Sequence, residues 1–217
     1  MKKNHIVIAT ILVMSLLFAL AAYFYNAQQT ETKTKLVTQH ANALIPFHAI
    51  KKGDPKAKVT IVEFLDPACG TCKQFHPIIK DLLKKYPDKL NLVVRYAPFH
   101  PGSDQMVAIL EAARKQKQFW NVLDLMFESQ EFWAINHQAK PELFWPYLEG
   151  YGFDVARIKQ DMRNPSIAKI IEQDLADGKL LGATKTPTFF VNGKPLPSFG
   201  YQQFMNLVQN ELAANYK

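Results

Sequence analysis

The stretch from Val59 to Tyr96 constrains the fold more than any other part of the sequence. Val59–Leu65 and Leu90–Tyr96 are β-branched and aromatic runs of strand length, which predicts two buried strands. Between them, apolar residues recur at helical spacing on one face, namely Phe75, Ile78, Ile79, Leu82, Leu83 and Tyr86. The order strand, helix, strand predicts a right-handed crossover and a parallel strand pair. We therefore expect an α/β protein.

The rest of the folded region is predicted to form one domain over residues 50–217. Its patterning becomes mainly helical over about 102–175, which predicts a helical insertion. Strand character returns at Thr188–Val191 and, after the turn signal Asn192-Gly193, at Lys194–Leu196. This arrangement predicts an antiparallel hairpin.

The N-terminus predicts a membrane helix or a signal sequence over residues 1–26. Lys2 and Lys3 precede an uncharged run, Ile6–Tyr25, and about 20 apolar residues cross a bilayer as a helix. Basic residues before the run place the remainder of the chain outside the cytoplasm. Ala19-Leu20-Ala21 fits a cleavage site, whereas the uninterrupted continuation to Tyr25 favours an uncleaved anchor. We expect the folded part in the bacterial cell envelope, in the periplasm or on the extracytoplasmic face of the inner membrane.

Residues 27–49 are polar and rich in Gln, Thr and Lys, without sustained periodicity. This composition predicts a tether in which a short helix can form. The tether would join the N-terminal segment to the domain.

The composition excludes several function classes. With 48% hydrophobic residues among 217, the chain can bury one sizeable core. The formal net charge of +7 is spread among acidic residues without a dense basic run, so nucleic-acid binding is not supported. The 2 cysteines, Cys69 and Cys72, are too close in sequence to form a disulfide framework that closes long loops.

Cys69 and Cys72 lie between the predicted strand and the predicted helix. This position puts the first sulfur at a helix N-terminus, where unpaired N–H groups and the helix dipole stabilise a thiolate. The spacer Gly70-Thr71 lets the second thiol reach the first, so a mixed disulfide with a substrate can be resolved within the molecule.

Other uses of the cysteine pair are open at this point. Structural zinc normally needs four ligands, and only His76 lies near the pair. A metal-binding or copper-delivery module that uses Cys69, Cys72 and His76 is the alternative of another class. An inert buried pair is disfavoured, because Asp66-Pro67 and Gly70-Thr71 are typical of an exposed loop.

The segment Val62–Phe75, VEFLDPACGTCKQF, strongly resembles the thioredoxin superfamily, and within it the DsbA/DsbG-like thiol:disulfide oxidoreductases. Pro77 matches the proline that these proteins carry in the helix after the redox motif. Thr186-Pro187 matches their cis-proline, which lies against the active-site disulfide. The resemblance covers roughly residues 55–214 and implies a thioredoxin-like fold with a mainly helical insertion.

The resemblance also implies the roles of individual residues. Cys69 would attack and Cys72 would resolve the mixed disulfide. Glu63 matches a buried acid that moves protons near the resolving thiol, although an edge-facing strand residue is the alternative for this position. Pro187 would lie beside the disulfide, and Thr186 would present its backbone to substrate.

The implied activity is the formation or isomerisation of disulfides in unfolded or misoxidised exported proteins, without a cofactor. The residue before the cis-proline is a threonine, Thr186, as in the DsbC/DsbG-like isomerases. The Gly-Thr spacer between the cysteines lacks the histidine of DsbA. The direction of exchange therefore stays open. A membrane-tethered thioredoxin-like reductant is the alternative within the superfamily. The implied redox partner is a membrane protein of DsbB-like or DsbD-like type.

The segment before Ile50 is too short for the separate dimerisation domain of the DsbC/DsbG-like group, so we expect a monomer. His76 is predicted to be solvated, and His100 to be structural. The tryptophans are predicted to form the core of the insertion, namely Trp120, Trp133 and Trp145.

Overall fold

The computed structural model describes residues 2–217, and it gives the backbone alone for residues 2–4, 26, 30 and 33. The strands are β1 (Ile50–Gly53), β2 (Val59–Leu65), β3 (Leu90–Tyr96), β4 (Ala134–Ile135), β5 (Gln138–Ala139), β6 (Thr188–Val191) and β7 (Lys194–Pro195). The helices are α1 (Lys2–Gln39), α2 (Ala41–Leu44), α3 (Gly70–Lys85), α4 (Ser103–Lys115), α5 (Phe119–Glu128), α6 (Gln130–Trp133), α7 (Trp145–Gly150), α8 (Val155–Asp161), α9 (Pro165–Leu181) and α10 (Tyr201–Asn215). The main sheet has the order β1-β3-β2-β6-β7.

The two central strands have the predicted bounds and the predicted direction. β2 and β3 are parallel, with Val59 opposite Leu90 and Leu65 opposite Tyr96. The helix between them is α3, so the predicted crossover is confirmed. β1 pairs antiparallel with β3 at one edge of the sheet, a strand that the sequence pattern did not predict.

The predicted C-terminal hairpin is also confirmed. β6 and β7 are antiparallel, and β6 also pairs antiparallel with β2. The turn residues Asn192 and Gly193 have φ angles of 48° and 77°, which a tight two-residue turn of this kind requires. The second strand ends at Pro195, one residue before the predicted end at Leu196.

The side chains of β2 alternate between two cores, one on each face of the sheet. Val59, Ile61 and Leu65 belong to the core that contains the apolar faces of α3 and α10. Val62 and Phe64 belong to a second core, which contains residues of α1, α2 and α9. Because helices cover both faces, the central strand is buried almost throughout.

The segment between β3 and β6 is mainly helical, as predicted, but it extends beyond residues 102–175. It comprises α4 to α9, together with the unpredicted hairpin β4–β5, and α9 continues to Leu181. Gly178 allows α9 to approach the sheet, since a Cβ at this position would lie 3.2 Å from the ring of Phe64. α9 therefore packs directly on the sheet.

The tryptophans of the insertion have the predicted core role. Trp133 is fully buried, and its indole N–H donates to the Met126 carbonyl at 3.1 Å. Trp120 and Trp145 are half-buried and pack against the same core. The insertion thus shares one continuous core with the α3 face of the sheet.

The prediction of a tether over residues 27–49 is wrong in its local structure. α1 runs without a break to Gln39 and is followed directly by α2. Val37 is 3% exposed and Leu44 is 5% exposed, and both pack in the second core. These buried side chains dock the segment on the domain, and they are too few to give the sequence a helical periodicity.

α1 is long and apolar enough to cross a membrane by length and composition. From His5 to Gln39 its most apolar window has a mean hydropathy of 2.6, and none of that window is buried. Met1 lies outside the described residues, as do the side chains of Lys2 and Lys3, on which the predicted orientation depends.

A buried ion network joins β3, α9 and the segment that follows α2. Arg95 is fully buried and donates to Asp174 at 2.7 Å and to Asp177 at 2.6 Å. It also donates to the Leu44 carbonyl at 3.2 Å. His48 Nε2 lies 2.5 Å from Asp174 Oδ1. The network therefore fastens the chain before β1 to the sheet.

We expect the Arg95→Ala substitution to lower the free energy of unfolding by about 3–5 kcal/mol, because it leaves buried carboxylates without their cation. Urea unfolding followed by circular dichroism measures this loss. Arg157→Ala is the matched control, since Arg157 pairs with Asp161 at 2.7 Å on the surface and should matter much less. Equal losses in the two variants would contradict the importance of the buried network.

Candidate active site

The two cysteines lie where β2 is followed by α3. Cys69 immediately precedes the helix in an extended conformation, with φ −76° and ψ 117°. Its backbone N–H donates to the Asp66 carbonyl at 3.0 Å, and its carbonyl accepts from the Lys73 N–H at 3.1 Å. These bonds fix the turn, and the sulfur of Cys69 lies at the helix N-terminus.

The environment of Cys69 stabilises a thiolate. A hydrogen bond from the Cys72 thiol is the main reason that the pKa of Cys69 falls from 9.0 to about 5, against the opposing effect of burial. Hydrogen bonds from the Thr186 side chain and from the backbone N–H groups of Thr71 and Cys72 lower the pKa further. At neutral pH the thiolate therefore predominates, and it is the thiolate that is nucleophilic.

Cys72 has the opposite protonation behaviour. It is fully buried in the first turn of α3. Burial raises the pKa of Cys72 well above its usual value, and the hydrogen bond to Cys69 and the charge of Glu63 raise it further. Cys72 therefore keeps its proton while Cys69 is charged.

Glu63 lies on the central strand β2 and is 2% exposed, which excludes the edge-facing alternative. Strand alternation puts it on the face of Ile61 and Leu65, towards α3. Burial, followed by the charge of Cys69, raises the pKa of Glu63 to about 8. Its Oε1 has no hydrogen-bond partner among the described residues. Its role in proton transfer stays a prediction.

The Thr186–Pro187 peptide bond is cis, as the resemblance implied. The Sγ atom of Cys69 lies 3.3 Å from the Thr186 carbonyl oxygen, to which the thiol donates when it is protonated. β6 begins at the next residue, Thr188, and pairs with Phe64 of β2. The sheet thereby brings this distant dipeptide against the cysteine pair.

The prediction of an exposed loop at Asp66-Pro67 is wrong, because both residues are buried. The Asp66 carboxylate accepts hydrogen bonds from the backbone N–H groups of Ala68, at 2.9 Å, and Phe99, at 2.8 Å. It also accepts from the Ser103 hydroxyl.

His100 completes this set, with Nδ1 2.7 Å and backbone N 2.9 Å from Asp66 Oδ2. The structural role predicted for His100 is therefore confirmed. Asp66 ties the loop before α4 to the turn that carries Cys69.

Gln130 is a residue of the site that the sequence did not indicate. It is 5% exposed, and its side-chain amide donates to the carbonyl of Pro67 at 2.7 Å and to that of Cys69 at 3.1 Å. No motif distinguishes this glutamine from the others in the chain. Only the fold of the insertion brings it to the dithiol turn.

The prediction that His76 is solvated is wrong. It is half-buried, its Nε2 lies 2.5 Å from Asp124 Oδ1, and its ring lies 4.8 Å from that of Phe127. Burial lowers the pKa of His76 despite the opposing effect of Asp124. In the described part of the chain no three His, Cys, Asp or Glu side chains form a metal-binding group. His76, the third ligand of the metal-binding alternative, thus has its Nε2 paired with Asp124 of α5.

Comparisons with known proteins agree with this geometry. A sequence profile of the family described as Thioredoxin matches residues 47–210. The chain belongs to the thioredoxin family. Its fold is that of DsbA-like proteins, with the mainly helical insertion between β3 and β6.

Solved structures show the same fold. A thioredoxin-like oxidoreductase from Silicibacter pomeroyi DSS-3 superposes with a TM-score of 0.67 at 24% identity, covering 80% of this chain and 97% of that one. Oxidised BdbD from Bacillus subtilis gives 0.65 at 24% identity, covering 75% and 92%. The thiol-disulfide exchange protein alpha-DsbA2 from Wolbachia pipientis gives 0.69 at 16% identity, covering 86% and 97%.

Curated relatives include much longer proteins. The Na(+)/H(+) antiporter NhaA of Herminiimonas arsenicoxydans is 35% identical over 145 residues, which are 67% of this chain and 22% of the antiporter. NhaA 3 of Salinispora tropica is 29% identical over 201 residues, or 88% and 30%. The chain therefore spans less than a third of the length of these relatives.

We expect the Cys72→Ala substitution to raise the pKa of Cys69 from about 5, because it removes the largest stabilising hydrogen bond. Cys72→Ser should raise it less, since a hydroxyl still donates. The pH dependence of Cys69 alkylation by iodoacetamide measures both values. An unchanged midpoint in the alanine variant would show that the Cys72 thiol does not stabilise the charge.

Two groups of the reduced protein should give opposite pH dependences of stability. Cys69 has a folded pKa of about 5 and an unfolded value of 9.0, so its contribution grows as the pH rises between them. Glu63 has a folded pKa of about 8 and an unfolded value of 4.5, so its contribution falls over that range.

From pH 5 to 8, we therefore expect the urea midpoint to rise in reduced Glu63→Gln and to fall in Cys69→Ser. The change of the urea midpoint in the wild type should lie between those of the two variants, because both Cys69 and Glu63 titrate in the wild type. Parallel curves for the two variants would contradict the opposite protonation of these groups.

Proposed function

We propose that this protein is a thiol:disulfide oxidoreductase of the bacterial cell envelope that forms or rearranges disulfides in exported proteins. One observation carries the proposal: Cys69 and the buried Cys72 lie at the N-terminus of α3, with Cys69 Sγ 3.3 Å from the carbonyl oxygen of Thr186 in the cis Thr186–Pro187 dipeptide. These surroundings lower the pKa of Cys69 to about 5 and keep Cys72 protonated. This combination is suited to thiol–disulfide exchange, because Cys69 is a nucleophilic thiolate while Cys72 stays a protonated thiol.

The oxidised protein would accept two electrons from a substrate dithiol. A substrate thiolate attacks Cys69 Sγ, which breaks the Cys69–Cys72 bond and releases Cys72 as a thiolate that takes up a proton. The second substrate thiolate then attacks the substrate sulfur of the mixed disulfide and releases the Cys69 thiolate. The substrate leaves with one disulfide, and the enzyme holds the dithiol.

Glu63 would supply the proton that Cys72 takes up. Its pKa of about 8 keeps the carboxyl protonated at neutral pH, and the charge of Glu63 influences the pKa of Cys72. The free Oε1 leaves the carboxyl able to exchange its proton within the buried site. The Thr186 carbonyl, 3.3 Å from Cys69 Sγ, would orient the incoming substrate backbone at the same sulfur.

We infer that the protein acts as an oxidant towards its substrates. A low pKa of Cys69 stabilises the reduced state, and stabilisation of the reduced state makes the disulfide a stronger oxidant. The same reduced dithiol can attack a wrong disulfide and isomerise it. The membrane-tethered reductant requires the opposite, a destabilised reduced state.

The enzyme would work on the extracytoplasmic face of the inner membrane, held there by α1. The length and composition of α1 support this location. Reoxidation requires a disulfide-bearing membrane partner of DsbB-like type, whereas isomerase action requires a reducing DsbD-like one. The antiporter names describe longer proteins, and the proposal for this chain rests on its own dithiol.

We expect Cys69→Ser to abolish the catalysis of oxidative refolding of a reduced, disulfide-containing protein. Reduced Cys72→Ser, given a substrate that carries a disulfide, should instead accumulate the mixed disulfide between Cys69 and substrate, because Cys69 still attacks the substrate disulfide and Cys72 no longer attacks Cys69 to release the substrate. Gel electrophoresis under non-reducing conditions detects this adduct. Unchanged refolding catalysis by Cys69→Ser would overturn the proposed function.

Equilibration of the Cys69–Cys72 couple with glutathione distinguishes the direction of exchange. A reduction potential near that of DsbA, about −120 mV, would support the oxidant, whereas a value near that of thioredoxin, about −270 mV, would support the reductant.

A further inference from the structure

The part of α1 that follows the apolar run is docked on the domain. Val37 is 3% exposed and belongs to the core formed with α9. A Cβ on Gly193, in the turn that leads into β7, would lie 3.4 Å from Val37 Cγ1. Glu31 and Lys35 form an ion pair at 2.7 Å that supports the helix on its exposed side. α1 therefore continues as one rigid helix from the apolar run to the sheet, and its part over residues 26–39 is here called the strut.

The same helix contributes Gln29 to a groove that also contains the cis-proline Pro187. Gln29 lines this groove together with Pro187, Thr188, Lys185 and Phe199. Pro187 follows Thr186, whose carbonyl oxygen lies 3.3 Å from Cys69 Sγ, so the Pro187 end of the groove is one residue away from the contact with the reactive sulfur.

The groove residues suit an extended peptide. Among the described residues that line it, Lys185 is the charged one and the others are polar or apolar. Phe199 is 43% exposed and offers apolar surface at the rim. A neutral or weakly acidic segment that carries a cysteine can therefore lie along Pro187 and reach Cys69.

Helix geometry sets the height of the groove above the bilayer. The apolar run ends in Tyr23, Phe24 and Tyr25, aromatic residues of the kind that are enriched at the membrane–water interface. Gln29 lies four residues beyond Tyr25, which is about 6 Å along the helix axis. Because tilting of the helix only reduces this height, the groove lies at or just above the lipid headgroups.

We propose that α1 holds the groove at the membrane surface and thereby selects substrates, namely cysteine pairs that lie close to the bilayer in membrane-anchored polypeptides. The inference rests on the proposed exchange activity and adds the substrate class. A flexible tether of the same segment would let the site sweep about 25 Å or more from the membrane. The docked strut removes that freedom.

The test uses the full-length protein in lipid vesicles, oxidised beforehand so that one turnover needs no external oxidant. The probes are three forms of one dithiol peptide. One is anchored to lipid through about 4 residues, a spacer that spans at most ~14 Å. A second has a spacer of about 20 residues, and the third is soluble. Each turnover converts the peptide dithiol to a disulfide and the Cys69–Cys72 disulfide to a dithiol.

The decisive variant carries seven helix-forming residues inserted between Ala27 and Gln28, which raises the groove by about 10 Å and nearly preserves the helical face. We expect it to oxidise the short-spacer peptide about tenfold more slowly than the wild type does. The soluble and long-spacer peptides should react at unchanged rates. Gln28→Ala, a substitution at an exposed position without a change of length, is the matched control and should behave as the wild type.

A second variant tests the docking itself. Val37→Asp puts a charge into the core and should release the strut from the domain. The oxidation rate of the short-spacer peptide should then be the same with and without the seven-residue insertion. Equal rates of the wild type and the insertion variant with the short-spacer peptide would overturn the inference. The inference would also be overturned if vesicles lowered the rate at which the wild type oxidises the soluble peptide, since lipid headgroups would then occupy the groove. If wild-type protein failed to oxidise even the soluble peptide, the proposed function itself would fall, and the inference with it.

Discussion

The site depends on a negative charge that is held by hydrogen bonds in a buried place. Around Cys69 the groups that lower its pKa are the Cys72 thiol, the Thr186 side chain and backbone N–H groups. Glu63 and Cys72 are acids in the same buried region. Burial, followed by the charge on Cys69, raises the pKa of Glu63, and burial, followed by the hydrogen bond to Cys69, raises the pKa of Cys72. Near neutral pH the negative charge therefore lies on Cys69, while Glu63 and Cys72 keep their protons. The proposed thiol exchange would move this charge between sulfurs, so the contacts that set the pKa would also set the course of the reaction.

Hydrogen-bond networks hold the backbone around the dithiol, and with it the position of Cys69. Asp66 collects hydrogen bonds from the turn before Cys69 and from the loop before α4, and Gln130 holds two carbonyls of that turn from the insertion. On the opposite face of the sheet, Arg95 joins β3 to α9 and to the chain before β1. β2 lies between these two polar networks and carries Glu63. The cysteine turn is thus fixed by the loop before α4 and by Gln130 of α6, which are far from it in sequence.

Features determined by local pattern could be predicted from the sequence, whereas features determined by tertiary contacts could not. The strands β2 and β3 and the turn at Asn192-Gly193 followed from residue type and spacing, and the cysteine pair followed from its place between strand and helix. Asp66 resembled a loop residue because its five hydrogen-bond donors lie far along the chain or arise only from the folded turn. His76 finds Asp124 only after α3 and α5 pack together. Residues 27–49 lacked helical periodicity because so few of their side chains, Val37 and Leu44 among them, reach a core.

The docked end of α1 has a consequence for the exposed border of the sheet. β7 is the last strand of the order β1-β3-β2-β6-β7, and an unpaired strand at a border can recruit a strand from another molecule. α1 lies against β7, while the opposite border strand, β1, is short and carries Lys51 and Lys52. Since Val37 follows Ala21 in the chain, removal of the first 21 residues would leave this cover in place. The domain would thus keep its protection against strand-to-strand aggregation without those 21 residues.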